Sequence, residues 1–219
     1  MKRNAVVLLA GMDSTAALHW ARGQYGAIVA AGCDYGQPHA REELAAAEAT
    51  AKRVGVPWFR IDIPGLSALD PSAGLASPGV SRAFVPGRNL VMVAHAAALA
   101  GRLWPGEYAT VVVGCNADDA AGFPDCRAAF LRSLSLAVGA SMAGACDVTV
   151  ASPWVPWLEP SAAMSKAAIV RWAAEHIDPE VLGDLRRSVS CYRGTRCGVC
   201  DACTLRARAF AEAGVEEAA

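Results

Sequence analysis

Four cysteines near the carboxyl end carry the clearest chemistry in this chain. Cys191, Cys197, Cys200 and Cys203 lie in SCYRGTRCGVCDACTLRARAF, with the spacing C-x5-C-x2-C-x2-C. Thiolates three positions apart project from neighbouring points of a turn. Cys203 is expected in the first turn of a helix running to about Ala213, where the helix N-terminus favours the thiolate that a metal needs. Four soft ligands within thirteen residues suit one tetrahedral zinc ion with no open position, a structural site. An iron–sulfur cluster could use the same thiolates. Disulfides are a third reading, disfavoured in a cytoplasmic chain. The remaining cysteines, Cys33, Cys115, Cys126 and Cys146, are scattered and read as small buried hydrophobes.

A second stretch, AVVLLAGMDSTAALHW at Ala5–Trp20, has the makings of an anion site. Val6–Leu9 is an apolar run of the kind found in a fully buried parallel strand. Gly11 breaks it, and Asp13-Ser14-Thr15 bring N-cap chemistry to a helix carrying Ala16, Ala17, Leu18 and Trp20. The free N–H groups and dipole of such a helix point at whatever occupies the turn. The same residues also read as an ordinary first β–α turn.

The elements that would position these groups alternate along the chain. Strands are expected at Val6–Leu9, Ala27–Ala31, Trp58–Ile63, Ala109–Val113 and Asp147–Ala151. Helices are expected at Ala40–Val54, Leu90–Leu103, Cys126–Val138 and Ser165–His176. Ala40–Val54 has acidic residues early and Lys52 and Arg53 late, as the helix dipole prefers, and Gly55 and Pro57 end it. The segment 64–83, rich in Pro, Gly, Ser and Ala, reads as a long functional loop. This β-α-β-α order predicts an α/β fold: a doubly wound, mostly parallel sheet with helices on both faces. Its ligand site should lie where the loops after strands 1, 2 and 4 converge.

Composition narrows the classes. The 219 residues are 54% hydrophobic and 19% charged, which excludes a disordered chain. A net charge of −1 provides no global field for a nucleic-acid backbone. Arginines 186, 187, 193, 196, 206 and 208 do cluster locally, so a zinc module that binds RNA is a third functional class, disfavoured by the overall charge. The apolar part of the amino-terminal segment is too short for a signal peptide and meets no cleavage site. No apolar run is long enough to cross a bilayer. A cytoplasmic protein is expected.

With these pieces placed, a resemblance emerges over nearly the whole chain. The strand–loop–helix at Leu8–Ser14, DYGQPH at Asp34–His39, FVPGRN at Phe84–Asn89, GFPDCR at Gly122–Arg127, MSKAAIV at Met164–Val170 and the cysteine cluster follow one another in order. In this the chain resembles the 7-cyano-7-deazaguanine (preQ0) synthase family of the PP-loop ATP pyrophosphatase group. The resemblance implies a nucleotide-binding domain over 1–185 and a zinc-binding segment over 186–219. It implies an ATP-dependent ligase that adenylates a carboxylate on a 7-deazaguanine, lets ammonia displace AMP to form an amide, and dehydrates the amide to the nitrile with a second ATP. ATP, magnesium and zinc are the implied cofactors, and a homodimer the implied assembly.

On that resemblance, Leu9, Ala10, Gly11, Met12, Asp13, Ser14 and Thr15 form the nucleotide loop. Gly11, Asp13, Ser14 and Thr15 would hold pyrophosphate, with Asp13 orienting the loop or holding magnesium. Lys166 would bring a point charge to the same phosphates, its alternative being an exposed helix lysine. Arg88, with Asn89, would grip a phosphate or the substrate carboxylate, or else cap a helix. A guanine-like edge offers adjacent N–H donors that suit a carboxylate, and the motif matches leave Asp119 or Asp125 to read it. Phe123 would stack on the ring or pack in the core, and Asp118 reads as solvated.

Two departures stand out. Where the family has Ser-Gly-Gly-x-Asp-Ser, this chain reads Leu9-Ala10-Gly11-Met12-Asp13-Ser14, so either a residue is lost or the leading Ser and first Gly are replaced. The first cysteine spacing is also shorter. An alternative function is therefore a deazaguanine- or nucleotide-binding homologue with lost or redirected catalysis, stopping at the amide or joining the base to a protein. The surviving loop residues and Lys166 predict turnover that is slowed but retained.

Overall fold

The structure, a computed structural model, describes residues 3–66, 81 and 83–217. Most of the long loop expected over 64–83 therefore lies outside the described residues. Five parallel strands form one sheet in the order β3-β2-β1-β4-β5: β1 Asn4–Leu8, β2 Ile28–Asp34, β3 Trp58–Asp62, β4 Tyr108–Val112 and β5 Asp147–Ala151. In the central register, Val6 stands between Val29 of β2 and Val111 of β4.

Side chains of a strand alternate between faces, and both faces of β1 are covered. Val6 and Leu8 join a core with Val93 and Ala96 of α3 (Arg88–Leu103) and Leu131 and Leu134 of α5 (Ala128–Met142). Ala5, Val7 and Leu9 join a second core on the opposite face. It is built from α1 (Met12–Gln24), α2 (Ala40–Arg53), α6 (Lys166–Ala174), α7 (Glu180–Arg187) and α8 (Asp201–Ala213). Burial on both sides explains why the strand is apolar throughout rather than alternating. The expected doubly wound α/β fold is the one observed.

The differences are local. β2 continues to Asp34, because Cys33 and Asp34 find partners in Ile61 and Asp62 of β3. The helix expected from Cys126 instead begins at Ala128. Residues Pro124–Cys126 make a single 3₁₀ turn, and Arg127 is extended. The helix expected over Ser165–His176 runs from Lys166 to Ala174, with Ser165 as an N-cap accepting from Ala168 N. Two short helices, α4 (Ala117–Gly122) and α7, escaped the sequence reading.

β1 leads to β2 on one side and has β4 on the other, so the loops after β1 and β4 diverge and open a crevice there. A glycine sets its depth. A Cβ on Gly114 would lie 2.6 Å from Ser14 N, so only glycine lets the loop after β4 lie against the first turn of α1.

Candidate active site

One cavity sits in that crevice, lined by residues after β1, β2 and β4, by the start of α3 and by the carboxyl-terminal segment. The loops expected to converge do so. On one wall, Gly11 caps α1 without a side-chain bond, leaving the first-turn N–H groups of the helix directed outward. The turn is held by its own hydroxyls. Ser14 Oγ accepts from Ala10 N and donates to Gly11 O, both at 2.9 Å, and Thr15 Oγ1 donates to the same carbonyl at 3.0 Å. The side chains of Leu9 and Met12 are buried in the second core, so these two loop residues can offer a ligand only their backbone.

Asp13, at the head of α1, meets Lys166, at the head of α6. Lys166 Nζ is 2.5 Å from Asp13 Oδ2 and 3.0 Å from Asp119 Oδ1. Trp154 Nε1 donates to Asp13 O at 3.0 Å, and Asn116 Nδ2 donates to Asp119 Oδ2 at 2.6 Å. Burial disfavours the Lys166 ammonium, but the two carboxylates outweigh it and push its pKa up. Burial raises the Asp119 carboxyl to about 6, with Lys166 opposing and Asp13 assisting. Asp13 Oδ1 is buried with no partner among the described residues. Asp118 is solvent-exposed as expected, yet its Oδ2 accepts from Lys166 N at 2.7 Å, so it also fixes the start of α6.

The start of α3 brings Arg88 to the same cavity. Gly87, in the left-handed conformation at φ 76°, turns the chain into α3 so that Arg88 opens the helix. Its Nη1 is 3.4 Å from the Tyr35 hydroxyl, and its Cζ lies 5.9 Å from the centre of that ring. Among the described residues it makes no ion pair. Glu43 and Asp125 feel its charge without bonding to it, so the guanidinium keeps N–H groups free for an anion.

Arg88, Asn89, Asp119, Asp13 and Ser14 all line the cavity, whereas Thr15, Lys166, Phe123 and Asp125 do not; Lys166 stands behind the lining, bonded to Asp13 and Asp119. Phe123 packs against the first core, its ring 6.5 Å from that of Phe84. Asp125 is buried behind Asn89, whose backbone N reaches Asp125 Oδ2 at 3.4 Å and whose Nδ2 donates to Asp125 O at 3.2 Å. Polar cavity residues without an assigned role in the sequence include Tyr35, His39, Glu43, Ser190 and Tyr192. The rings of His39 and Tyr192 are 5.9 Å apart, and Gln37 Nε2 donates to Glu43 Oε2 at 3.1 Å. Burial raises the Glu43 pKa, against the pull of His39, Gln37 and Arg88. The signal for three of them was present in DYGQPH and the carboxylate that follows it.

Beside the cavity, the Sγ atoms of Cys191, Cys197, Cys200 and Cys203 lie within 4.8 Å of one another. Cys197 is 4.0 Å from Cys203, and Cys191 is 4.0 Å from Cys200. Disulfide sulfurs sit about 2.05 Å apart, so these are free thiols. Zinc–sulfur bonds of about 2.3 Å in a tetrahedron separate sulfurs by about 3.8 Å, so the group fits zinc. Backbone N–H groups of Val199 and Cys200 bring the Cys197 thiol down to about 6, while burial raises Cys203 to about 11.

The profile of the family described as queuosine biosynthesis protein QueC matches residues 4–214. The chain belongs to the QueC family. Relatives called 7-cyano-7-deazaguanine synthase share much of its sequence. The protein of Laribacter hongkongensis is 37% identical over 97% of this chain and 91% of its own length. That of Anaeromyxobacter sp. strain Fw109-5 is 38% identical over 99% and 94%, and that of Geotalea daltonii 36% identical over 99% and 96%. The QueC match spans the β1–α1 turn, the Lys166 helix and all four cysteines, so cavity and cysteine cluster both lie within the family's region.

Proposed function

We propose that this chain is an ATP-dependent carbon–nitrogen ligase. It converts 7-carboxy-7-deazaguanine and ammonia to 7-cyano-7-deazaguanine through an adenylated carboxylate and an amide. The observation that carries this reading is one cavity lined by two groups that suit anions. The α1 N-terminus, with Lys166 behind it on Asp13, forms one, and Arg88, which makes no ion pair among the described residues, forms the other. A polyphosphate and a carboxylate are the two anions that adenylation must bring together. The names of the relatives support the same product.

In this reading the N–H groups at the start of α1 hold phosphate oxygens and Lys166 supplies a fixed positive charge beside them. Asp13, whose Oδ1 is buried without a partner among the described residues, would hold magnesium, which would add charge neutralisation at the phosphates. Arg88 orients the substrate carboxylate, and Asn89 keeps the start of α3 in register with Asp125. Asp119 or Asp125 reads the guanine-like edge, and Asp119 has the better access because it lines the cavity. The rings of Tyr35 and Tyr192 provide flat surfaces for a bicyclic base. Phe123 supports this wall from within the core.

The four-cysteine cluster would hold structural zinc, which would cross-link residues 191–203 and fix the segment 186–219 on the domain 1–185. The burial of Ala209 and Phe210 of α8 against Ile169 and Val170 of α6 supports that arrangement. A cytoplasmic homodimer completes the proposal. Among the described residues no helix is long and apolar enough to cross a membrane.

The test is pyrophosphate release in the presence of ATP, magnesium and 7-carboxy-7-deazaguanine. Release that depends on the base and falls strongly in Asp13→Ala supports the ligase. Release no higher than in Asp13→Ala would favour a binding protein.

A further inference from the structure

The turn that faces the phosphates has spent its own hydroxyl protons. Ser14 Oγ and Thr15 Oγ1 each donate to Gly11 O. A hydroxyl has one proton to give, so neither can donate to a ligand without releasing that carbonyl. Leu9, Ala10, Gly11 and Met12 have no polar side chain. The turn therefore offers backbone N–H groups and no free hydroxyl donor.

A hydroxyl from another part of the chain stands over it. Ser190 lines the same cavity, and its Oγ lies 3.2 Å from where a Cβ on Gly11 would be. Behind Ser190 is Arg206, a buried cation only 5% exposed, whose Nη1 is 3.4 Å from Ser190 Oγ. Guanidinium groups only donate, so Ser190 is the acceptor in that contact and keeps its own proton. Among the described residues that proton has no acceptor. Nor does Arg206 depend on Ser190. It makes shorter bonds to Leu185 O at 2.8 Å, Arg186 O at 2.9 Å, Ser188 O at 3.0 Å and Ser188 Oγ at 2.8 Å, and it also pairs with Glu217. A hydroxyl that merely satisfied Arg206 would be superfluous.

We propose that Ser190 is a phosphate-binding residue, its hydroxyl donating to a polyphosphate oxygen of the nucleotide held at the β1–α1 turn. The inference rests on the ATP reading above. It gives the cysteine segment a part in nucleotide binding, since Ser190 immediately precedes Cys191.

The experiment is calorimetric titration of the full-length, zinc-loaded protein with magnesium ATP and with magnesium pyrophosphate, in wild type, Ser190→Ala and Ser190→Thr. A hydrogen bond to a charged group corresponds to a loss of about 10- to 100-fold in affinity. Ser190→Ala should show that loss for both ligands, and Ser190→Thr should stay within about threefold of wild type. Zinc content and melting temperature should be unchanged in both. Wild-type affinity in Ser190→Ala overturns the proposal and leaves the ATP reading standing. Equal weakening in both variants together with zinc loss also overturns it, assigning Ser190 to the shape of the segment. A wild type that binds neither ligand removes the ATP reading itself and this proposal with it.

Discussion

Lys166 Nζ lies 2.5 Å from Asp13 Oδ2, a bond that spans 153 positions and joins the first residue of α6 to the first turn of α1. Asp119 approaches the same ammonium at 3.0 Å. Two carboxylates around one ammonium leave a net negative charge at the mouth of an anion site, a combination suited to a nucleotide that arrives with a divalent cation. Lys166→Ala should lower pyrophosphate release by about 10²–10³-fold, the usual effect of removing one preorganised charge or donor. Steady-state assays should show the fall mainly in kcat.

Acid should also slow the reaction, through Asp119. Its carboxyl titrates near 6 because it is buried, with Lys166 opposing the shift. A raised acid pKa means that the folded protein binds a proton that the unfolded chain has released. The associated stability is complete below about pH 4 and is lost as pH rises through about 6. Accepting the two adjacent N–H groups of the base needs the ionised form, so activity should have the opposite slope, rising to a plateau above about pH 6. A pH–rate profile of wild type should show this limb, and Asp119→Asn should be slow throughout and lack it.

Much of this arrangement was legible in the sequence, and what was missed has physical causes. The apolar run at β1, its glycine break and the helix beyond it follow from local patterning, and so does the cysteine cluster. The helix α4 is only six residues long, too short for a periodic pattern. Its real signal was Asn116, whose side chain accepts from Asp119 N. α7 has a glycine in its middle, and it is held by buried Val181, Leu185 and Asp184 more than by propensity. Ser190 and Tyr192 could not be placed from local sequence at all. They reach the cavity because α8 packs on α6, a tertiary fact with no local signature. For the same reason the place of Phe123 in the core follows only from its tertiary neighbour Phe84.

Asp184 predicts a stability effect away from the cavity. Fully buried, it accepts from His19 Nε2 at 2.9 Å, Arg53 Nε at 2.7 Å and Arg187 Nη2 at 2.8 Å, tying α7 to α1 and α2. Burial alone would raise its pKa, but these three donors hold it down at about 2. Its stabilisation is therefore present above the ordinary carboxylate range and lost as pH falls through about 2. Asp184→Asn should cost about 3 kcal/mol at neutral pH, as expected when one member of a buried ionic group is removed. Urea unfolding should show that difference shrinking towards pH 2.

The close approach at Gly114 gives a steric test. Gly114→Ala would put a methyl group 2.6 Å from Ser14 N and 2.9 Å from Ser14 Cα. The first turn of α1 must move, at a cost of about 1–3 kcal/mol, and affinity for magnesium ATP should fall. Gly23→Ala, in the same helix with nothing within 4 Å, is the control and should be neutral or stabilising by up to about 1 kcal/mol. Differential scanning calorimetry and ATP titration of both variants would check the pair.

The cysteine cluster should be inseparable from the stability of its segment, because binding free energy at a structural zinc site is folding free energy. Purified protein should carry about one zinc per chain, a closed four-thiolate site. Cys200→Ser should lose it and expose the segment around 191–203 to proteolysis. Elemental analysis without zinc, or an iron–sulfur absorption band, would contradict this assignment.

The central claim is that one cavity activates the carboxylate of a deazaguanine and carries it to the nitrile. Mass spectrometry of the base after incubation with ATP, magnesium, ammonia and 7-carboxy-7-deazaguanine tests it most directly. The account predicts 7-cyano-7-deazaguanine together with AMP and pyrophosphate. Unchanged 7-carboxy-7-deazaguanine, or an amide that accumulates and never becomes nitrile, would contradict it.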